Sequence, residues 1–138
     1  HLFSDQKKDT TLIAVCGLHM RGFPLEKQMH KYGARFVRKE MTAAKYQLIC
    51  LPTVPAKPGL IKKPKSGASI QLELWEMPLD QFGSFAASIP APLGIGKIEL
   101  EDGTEVPGFI CEAYAADNAK EITASGGWKN ASVSIDGN

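Results

Sequence analysis

No charge of one sign dominates this 138-residue sequence: 16 lysines and arginines stand against 15 aspartates and glutamates, for a formal net charge of +1. A duplex-binding surface shows a clear basic excess, so no nucleic-acid partner is expected. Long hydrophobic runs are lacking too. The longest, Leu12 to Leu18 with a glycine inside it, falls far short of the roughly 20 residues that cross a bilayer. His1 to Asp9 does not place a charged start before an apolar signal core. No membrane partner is expected, and the compartment read from the sequence is cytoplasmic. Cysteine is scarce: Cys16, Cys50 and Cys111 form an odd set without Cys-x-x-Cys spacing, each inside an apolar stretch. That pattern reads as packed thiols rather than a disulfide framework. Cys16, at the end of a strand, is the one with a case as a nucleophile, although apolar neighbours on both sides favour packing. His1, His19 and His30 are scattered without paired spacing, so no metal and no cofactor is expected. No Gly-Lys-Ser/Thr follows a glycine-rich loop, which excludes a P-loop.

What remains is 43% hydrophobic and 22% charged, the composition of one soluble domain of ordinary size. The domain is expected over residues 1–130, with a polar tail at 131–138. Thr10 to Cys16 reads as a buried strand opening at Gly17 into a loop. Pro24 starts a helix with Leu25, Met29 and Tyr32 on one face and Gly33 at its C-cap. Ala34–Met41 and Tyr46–Cys50 follow as strands, and residues 52–67, with four prolines, read as a long loop. Ile70, Leu72 and Leu74 alternate with Gln71, Glu73 and Trp75 as a strand. Pro78 starts a second helix, and residues 89–96 form a rigid loop in which either Xaa-Pro bond is a candidate for cis. Asp102-Gly103 is a hairpin turn between Lys97–Glu101 and Thr104–Ala113, with a bulge expected at Pro107-Gly108. The fold class expected is α+β: a small mixed, mostly antiparallel β-barrel of about six strands with two or three short helices.

Two loops are placed to carry chemistry. In Cys16-Gly17-Leu18-His19-Met20-Arg21-Gly22 a strand ends, a glycine permits tight geometry, and a histidine able to exchange a proton near neutral pH lands before a helix. Backbone amides near Gly17 can cradle an anion. The second loop, Pro90-Ala91-Pro92-Leu93-Gly94-Ile95-Gly96, is stiffened by prolines, and its glycines let a ligand approach the backbone. Lys57, Lys62, Lys63 and Lys65 make loop 52–67 basic, either a solvated face or a gate to an anionic pocket. Glu73 and Glu112 lie in strands; an inward-facing one would be a candidate acid or base.

Several of these motifs recur together. Gly17-Leu18-His19-Met20-Arg21-Gly22-Phe23-Pro24-Leu25 with Gln28 and Gly33-Ala34, Lys57-Pro58-Gly59-Leu60, Gly67-Ala68-Ser69-Ile70 and Phe82-Gly83-Ser84-Phe85 form the first part of the pattern. Ile89 to Gly96, Gly108-Phe109-Ile110-Cys111-Glu112, and Ile122-Thr123 with Gly126-Gly127-Trp128 complete it. In that order, from about Leu12 to Trp128, they resemble the C-terminal domain of allophanate hydrolases. That domain is similar in fold to the γ-glutamylcyclotransferases, and Val15 to Gly22 looks like a variant of their Tyr-Gly-Ser/Thr loop.

The resemblance implies a function in urea and allophanate breakdown: binding or decomposing a small dicarboxylate-like intermediate, N-carboxycarbamate, by a hydrolase- or lyase-type step with His19 as the catalytic residue. Gly17, Leu18, Met20, Arg21, Pro92, Leu93, Gly94, Ile95 and Gly96 are the expected substrate-binding residues. The implied partners are the small anionic substrate and either an amidase subunit or a second copy of the chain. Nothing in the sequence resembles the Gly-Gly-Ser-Ser-Gly-Gly loop of an amidase, so allophanate itself is not an expected substrate. The alternative from another class is a non-catalytic module that docks on a separate amidase or mediates oligomerisation. A cyclotransferase-like activity is the weaker alternative, because Leu79 to Phe85 lacks the glutamate those enzymes use.

Overall fold

The computed structural model describes residues 9–131. Eight strands and two α-helices follow one another as β1 (Thr10–Val15), α1 (Glu26–Lys31), β2 (Arg35–Met41), β3 (Tyr46–Leu51), β4 (Lys57–Lys62), β5 (Gln71–Pro78), α2 (Leu79–Ala87), β6 (Leu93–Glu99), β7 (Glu105–Cys111) and β8 (Lys120–Glu121). Two short 3-10 turns flank β8. Among the described residues no helix is long and apolar enough to cross a membrane. The α+β class is as expected, with two more strands than the sequence showed.

The strands form a five-stranded sheet, β2-β5-β1-β7-β6, and a three-stranded one, β4-β3-β8. All pairings are antiparallel except β1 with β7, which meet in parallel at Ala14 and Gly108. The helical connection after β1 does not produce a parallel neighbour, because β5 inserts between β1 and β2. The far ends of the edge strands meet. Thr42 bridges Leu100, the Ala43 amide donates to Glu99 O (2.9 Å), and the Glu101 amide donates to Met41 O (3.0 Å). The sheet is thus bent until its two edges join at one corner, the barrel-like geometry that a small curved sheet adopts when its edges are paired.

The period-2 signal in β5 conceals a strand buried on both faces. Leu72, Glu73, Leu74, Trp75 and Met77 are all buried. β5 lies inside the sheet, and Trp75 on its second face meets His30 of α1 (5.5 Å between ring centroids) and Phe36 of β2 (6.1 Å). Met29, fully buried, joins α1 to the same core, and Gly33 ends that helix with φ +76° as its C-cap position requires.

Three local expectations are corrected. Residues 52–67 are not one loop: β4 forms inside them, with Pro58 opposite Cys50. A proline is tolerated there because β4 is an edge strand, paired on one side. The rigid loop 89–96 gives way to strand at Leu93, just after the cis Ala91–Pro92 bond; Val54–Pro55 is also cis. Pro107-Gly108 forms no bulge, since β6 and β7 keep register through Lys97–Pro107 and Gly96–Gly108. The irregularity lies in β2, between Phe36 and Arg38. At the C-terminal end Ala131 is buried and packed on the core; the rest of the expected tail, 132–138, lies outside the described residues.

Gly108 has a steric reason to be glycine. A Cβ there would stand 2.5 Å from Ile98 Cδ1 and 2.8 Å from both Ala14 Cβ and Ala14 O. Gly83 in α2 has nothing within 4 Å of such a Cβ. Urea denaturation of Gly108→Ala is therefore expected to show a loss of about 2 kcal/mol from overpacking. Gly83→Ala should gain roughly 0.5–1 kcal/mol from improved helix propensity. Equal midpoints for the two variants would contradict this account of the β1–β7 contact.

Candidate functional site

β1 delivers the chain into a loop that is held at every turn. The Met20 amide donates to Gly17 O (3.0 Å), the Phe23 amide to Met20 O (3.1 Å) and the Leu25 amide to Leu18 O (2.8 Å). Leu18 and Met20 are buried, and Gly22 has φ +86°. The amides of Gly17, Leu18 and His19 donate to no backbone group among the described residues.

Glu73 anchors this loop from below. Its side chain is 2% exposed; Oε1 accepts from the Arg21 amide (3.0 Å) and Trp75 Nε1 (3.1 Å), and Oε2 accepts from Arg21 Nε (3.2 Å). The Arg21 guanidinium lies 3.4 Å from the centroid of the Phe36 ring. Glu73 does face inward, as a candidate acid or base must, but its oxygens hold the loop and it does not line the cavity around His19. Glu112 is exposed.

Above the loop, β4 closes the other side. A Cβ on Gly17 would stand 2.3 Å from Pro58 Cγ, and one on Gly59 would stand 2.8 Å from Cys111 Sγ. These two glycines let β4 press onto the end of β1 and onto β7, which brings Lys57 to the wall of a cavity of about 330 Å³. Its lining includes His19, Gln28 and Lys57 with Gly17 and Leu18, and the apolar Leu25, Pro58, Ile89, Pro90, Leu93 and Phe109.

His19 sits in that wall with its Nε2 3.0 Å from Gln28 Oε1. Its ring lies 4.8 Å from Phe109 and edge-on to Phe85 at 5.7 Å, centroid to centroid. Burial lowers its pKa below the ordinary 6.5; the Gln28 acceptor works against that shift, and the Lys57 charge adds to it. The shift favours the neutral imidazole at pH 7. Cys16 also lines the cavity, but burial, reinforced by Cys111, pushes its thiol up to about 12. A thiol of that pKa stays protonated and is a poor nucleophile.

Of the residues expected to bind substrate, Gly17, Leu18 and Leu93 join His19 at the cavity. Met20 and Arg21 do not, because the loop turns away after His19; Met20 faces a separate depression beside Glu73 and Trp128. Pro92, Gly94, Ile95 and Gly96 are also absent from the wall. Residues 94–96 are committed to the β6–β7 ladder, where Gly96 makes room for Ile110, whose Cδ1 would be 2.4 Å from a Cβ. The structure adds Phe109 and the segment Ser88–Pro90. Lys57 comes from the basic loop, and Gln28 lies one turn into the helix that follows the histidine. A helix-facing polar residue in an otherwise apolar stripe was the available signal for it.

The fold is that of the γ-glutamylcyclotransferase-like proteins: a solved γ-glutamyl cyclotransferase superposes with a TM-score of 0.53 at 12% identity, over 82% of this chain and 70% of that one. Residues 11–132 match the allophanate hydrolase C-terminal domain family, and the chain belongs to that family. It is 41% identical over 127 residues to the urea amidolyase of Lachancea kluyveri, spanning 88% of this chain but 7% of that protein. The crystal structure of the K. lactis urea amidolyase matches with a TM-score of 0.87 and 40% identity, over 92% of this chain and 8% of that one. A uropathogenic E. coli-specific protein matches with a TM-score of 0.84 and 39% identity, over 91% of this chain and 97% of that one. The domain thus stands within much longer chains in the yeasts and matches nearly the whole of a small solved chain from E. coli.

The anchoring role of Glu73 is testable by urea denaturation. Glu73→Ala leaves the Arg21 amide and the Trp75 indole N–H without an acceptor beneath the loop, and is expected to cost about 3 kcal/mol. Arg21→Ala keeps the backbone bond and removes a guanidinium whose side chain is 40% exposed, so about 1 kcal/mol or less is expected. If the arginine variant loses as much as the glutamate variant, the loop is held by the ion pair rather than by the buried carboxylate.

Proposed function

We propose that the His19 cavity binds N-carboxycarbamate and promotes its decomposition to carbamate and CO2. The observation that carries the reading is a half-buried imidazole facing a small cavity beside a lysine and backbone amides that donate to no backbone group among the described residues. Such a wall suits a small dianion. The amides of Gly17, Leu18 and His19 supply fixed dipoles at no reorganisation cost, and Lys57 supplies a countercharge.

The chemistry follows from charge. In the dianion the central nitrogen links two carboxylates. Breaking one C–N bond leaves the electron pair on nitrogen, releases CO2, and needs a proton on that nitrogen to complete carbamate. The lowered pKa favours neutral His19, so it must first acquire that proton. The bound dianion favours the imidazolium, because an opposite charge within about 4–6 Å raises a histidine pKa. Substrate binding and proton uptake at His19 are thereby coupled, and the imidazolium so formed is the general acid at the departing nitrogen. The apolar side of the cavity, with Phe109 and Leu93, keeps competing water away from the bond that breaks. An amidase in the same chain, as the longer relatives allow, or in a separate subunit would furnish the intermediate.

Malonate replaces the NH of N-carboxycarbamate by CH2 and keeps its shape and charge, so it serves as the probe. At a hundred times its Kd a ligand stabilises the native state by about 2.7 kcal/mol, which is several degrees in Tm for a domain of this size. The wild type should show that shift and His19→Ala should lose most of it. The pH dependence has a definite sign. The free pKa of His19 lies below 6.5 and the bound one lies higher, so affinity rises as pH falls through the bound pKa and levels off below the free one. Calorimetry between pH 5.5 and 8.5 should show this in the wild type and a flat profile in His19→Ala. A wild type that malonate does not stabilise would remove the binding reading and favour a docking role on an amidase.

A further inference from the structure

A histidine that must exchange a proton at one defined atom needs a partner that distinguishes its two nitrogens. In this cavity the partner is Gln28. Its Oε1 lies 3.0 Å from His19 Nε2, and an amide oxygen only accepts, so Nε2 carries the hydrogen of the neutral ring. Among the described residues no group hydrogen-bonds Nδ1. The rings packed against the imidazole, Phe85 of α2 and Phe109 of β7, bring no charge and no competing acceptor. The ionisable groups lining the same cavity are Lys57 of β4 and the Cys16 thiol at the end of β1.

We infer that Gln28 is a positioning residue, which fixes His19 as the Nε2–H tautomer and leaves Nδ1 as the atom that takes up and returns the proton. This rests on reading the cavity as the site of N-carboxycarbamate decomposition. Gln28 is itself well placed to impose geometry. Its amide donates to Leu25 O (3.0 Å) and its carbonyl accepts from Tyr32 N (3.1 Å), while the Leu25 amide donates to Leu18 O (2.8 Å). The start of α1 and the histidine loop therefore move as one unit.

The other end of the Gln28 side chain has a second use. Its amide nitrogen makes no hydrogen bond to a described residue, and the side chain lines the cavity. With the oxygen committed to His19, the NH2 group is left to donate to a bound carboxylate. One side chain thus orients the proton-carrying ring and contacts the anion. Glutamate in its place would keep the acceptor but bring a charge that raises the His19 pKa and repels the ligand. Glutamine satisfies both demands with no charge.

The test uses the full chain labelled with 15N and 13C, reading the tautomer and pKa of the His19 ring by NMR in the wild type, Gln28→Leu and Gln28→Glu. The wild type should be the Nε2–H tautomer, and Gln28→Leu should become a tautomer mixture. Gln28→Glu should raise the His19 pKa by about one unit or more. Both variants should bind malonate roughly tenfold more weakly, the equivalent of one hydrogen bond to a charged group. A wild-type ring protonated on Nδ1, or an unchanged tautomer in Gln28→Leu, would overturn the inference. Should the leucine variant fail to fold, the isosteric glutamate variant decides, and an unmoved His19 pKa there would overturn it equally. The ring spectra need no ligand, so absence of malonate binding in every form removes the proposed reaction while the tautomer result stands on its own.

Discussion

The site depends on a carboxylate placed where carboxylates are rarely found. Glu73 lies inside the five-stranded sheet, opposite Val15 of β1 and Lys39 of β2, and is as buried as the leucines on either side of it. Burying a charged group is unfavourable unless donors replace its water, and three donors do so: the amide and guanidinium of Arg21 and the indole of Trp75. The arrangement works in one direction only. The carboxylate demands those donors, and meeting the demand draws residues 20–22 down onto β5. With that end of the loop pinned and the Leu25 amide bonded back to Leu18, the two residues between the anchors, Leu18 and His19, have little freedom. The loop that carries the histidine is positioned by the core beneath it.

A second constraint comes from above. Pro58 occupies the space that any side chain at residue 17 would fill, and Cys111 occupies the space at residue 59. Two glycines in different segments are thus required by one packing event, the descent of β4 onto β1 and β7. The same event lowers Lys57 to the cavity and helps set the charge state of His19. In the proposed reaction charge arrives with the ligand, and proton uptake follows it. One strand's position thus sets the packing and adds to the effect of burial on the His19 charge state.

How much of this was legible in the chain follows from the range of each interaction. Local signals read well. The strand up to Gly17, the helix ending at Gly33, the Asp102-Gly103 turn and the loop histidine all rest on neighbours within a few residues, and all are found. The long-range features did not read well. β4 was hidden by Pro58 and the prolines that flank it, because edge position, which excuses Pro58, is a property of the sheet and not of the segment. Arg21 carries a charge next to the histidine and so resembled a substrate ligand, but its partner Glu73 lies 52 residues away. Gly94 and Gly96 looked like a ligand-binding backbone, whereas Gly96 serves Ile110 across a ladder. From that loop it is Pro90 and Leu93 that line the cavity. Family resemblance supplied the fold and the order of motifs; which neighbours of His19 share its cavity was settled by side-chain packing that no linear motif encodes.

The corner where Thr42 meets Leu100 bears on how the domain keeps company with others. Strand edges are templates on which foreign strands add, and proteins that live as one unit among many must blunt them. Here the ends of β2 and β6 spend their backbone groups on each other, through Ala43 with Glu99 and Glu101 with Met41. Thr42, fully buried, donates to Ala43 O and accepts from the Ile70 amide, which locks the junction from inside. At that corner the five-stranded sheet has no open rung to offer. A unit finished in this way can be strung into a chain many times its length, as in the yeast relatives, with the ends of its two edge strands already paired to each other at that corner.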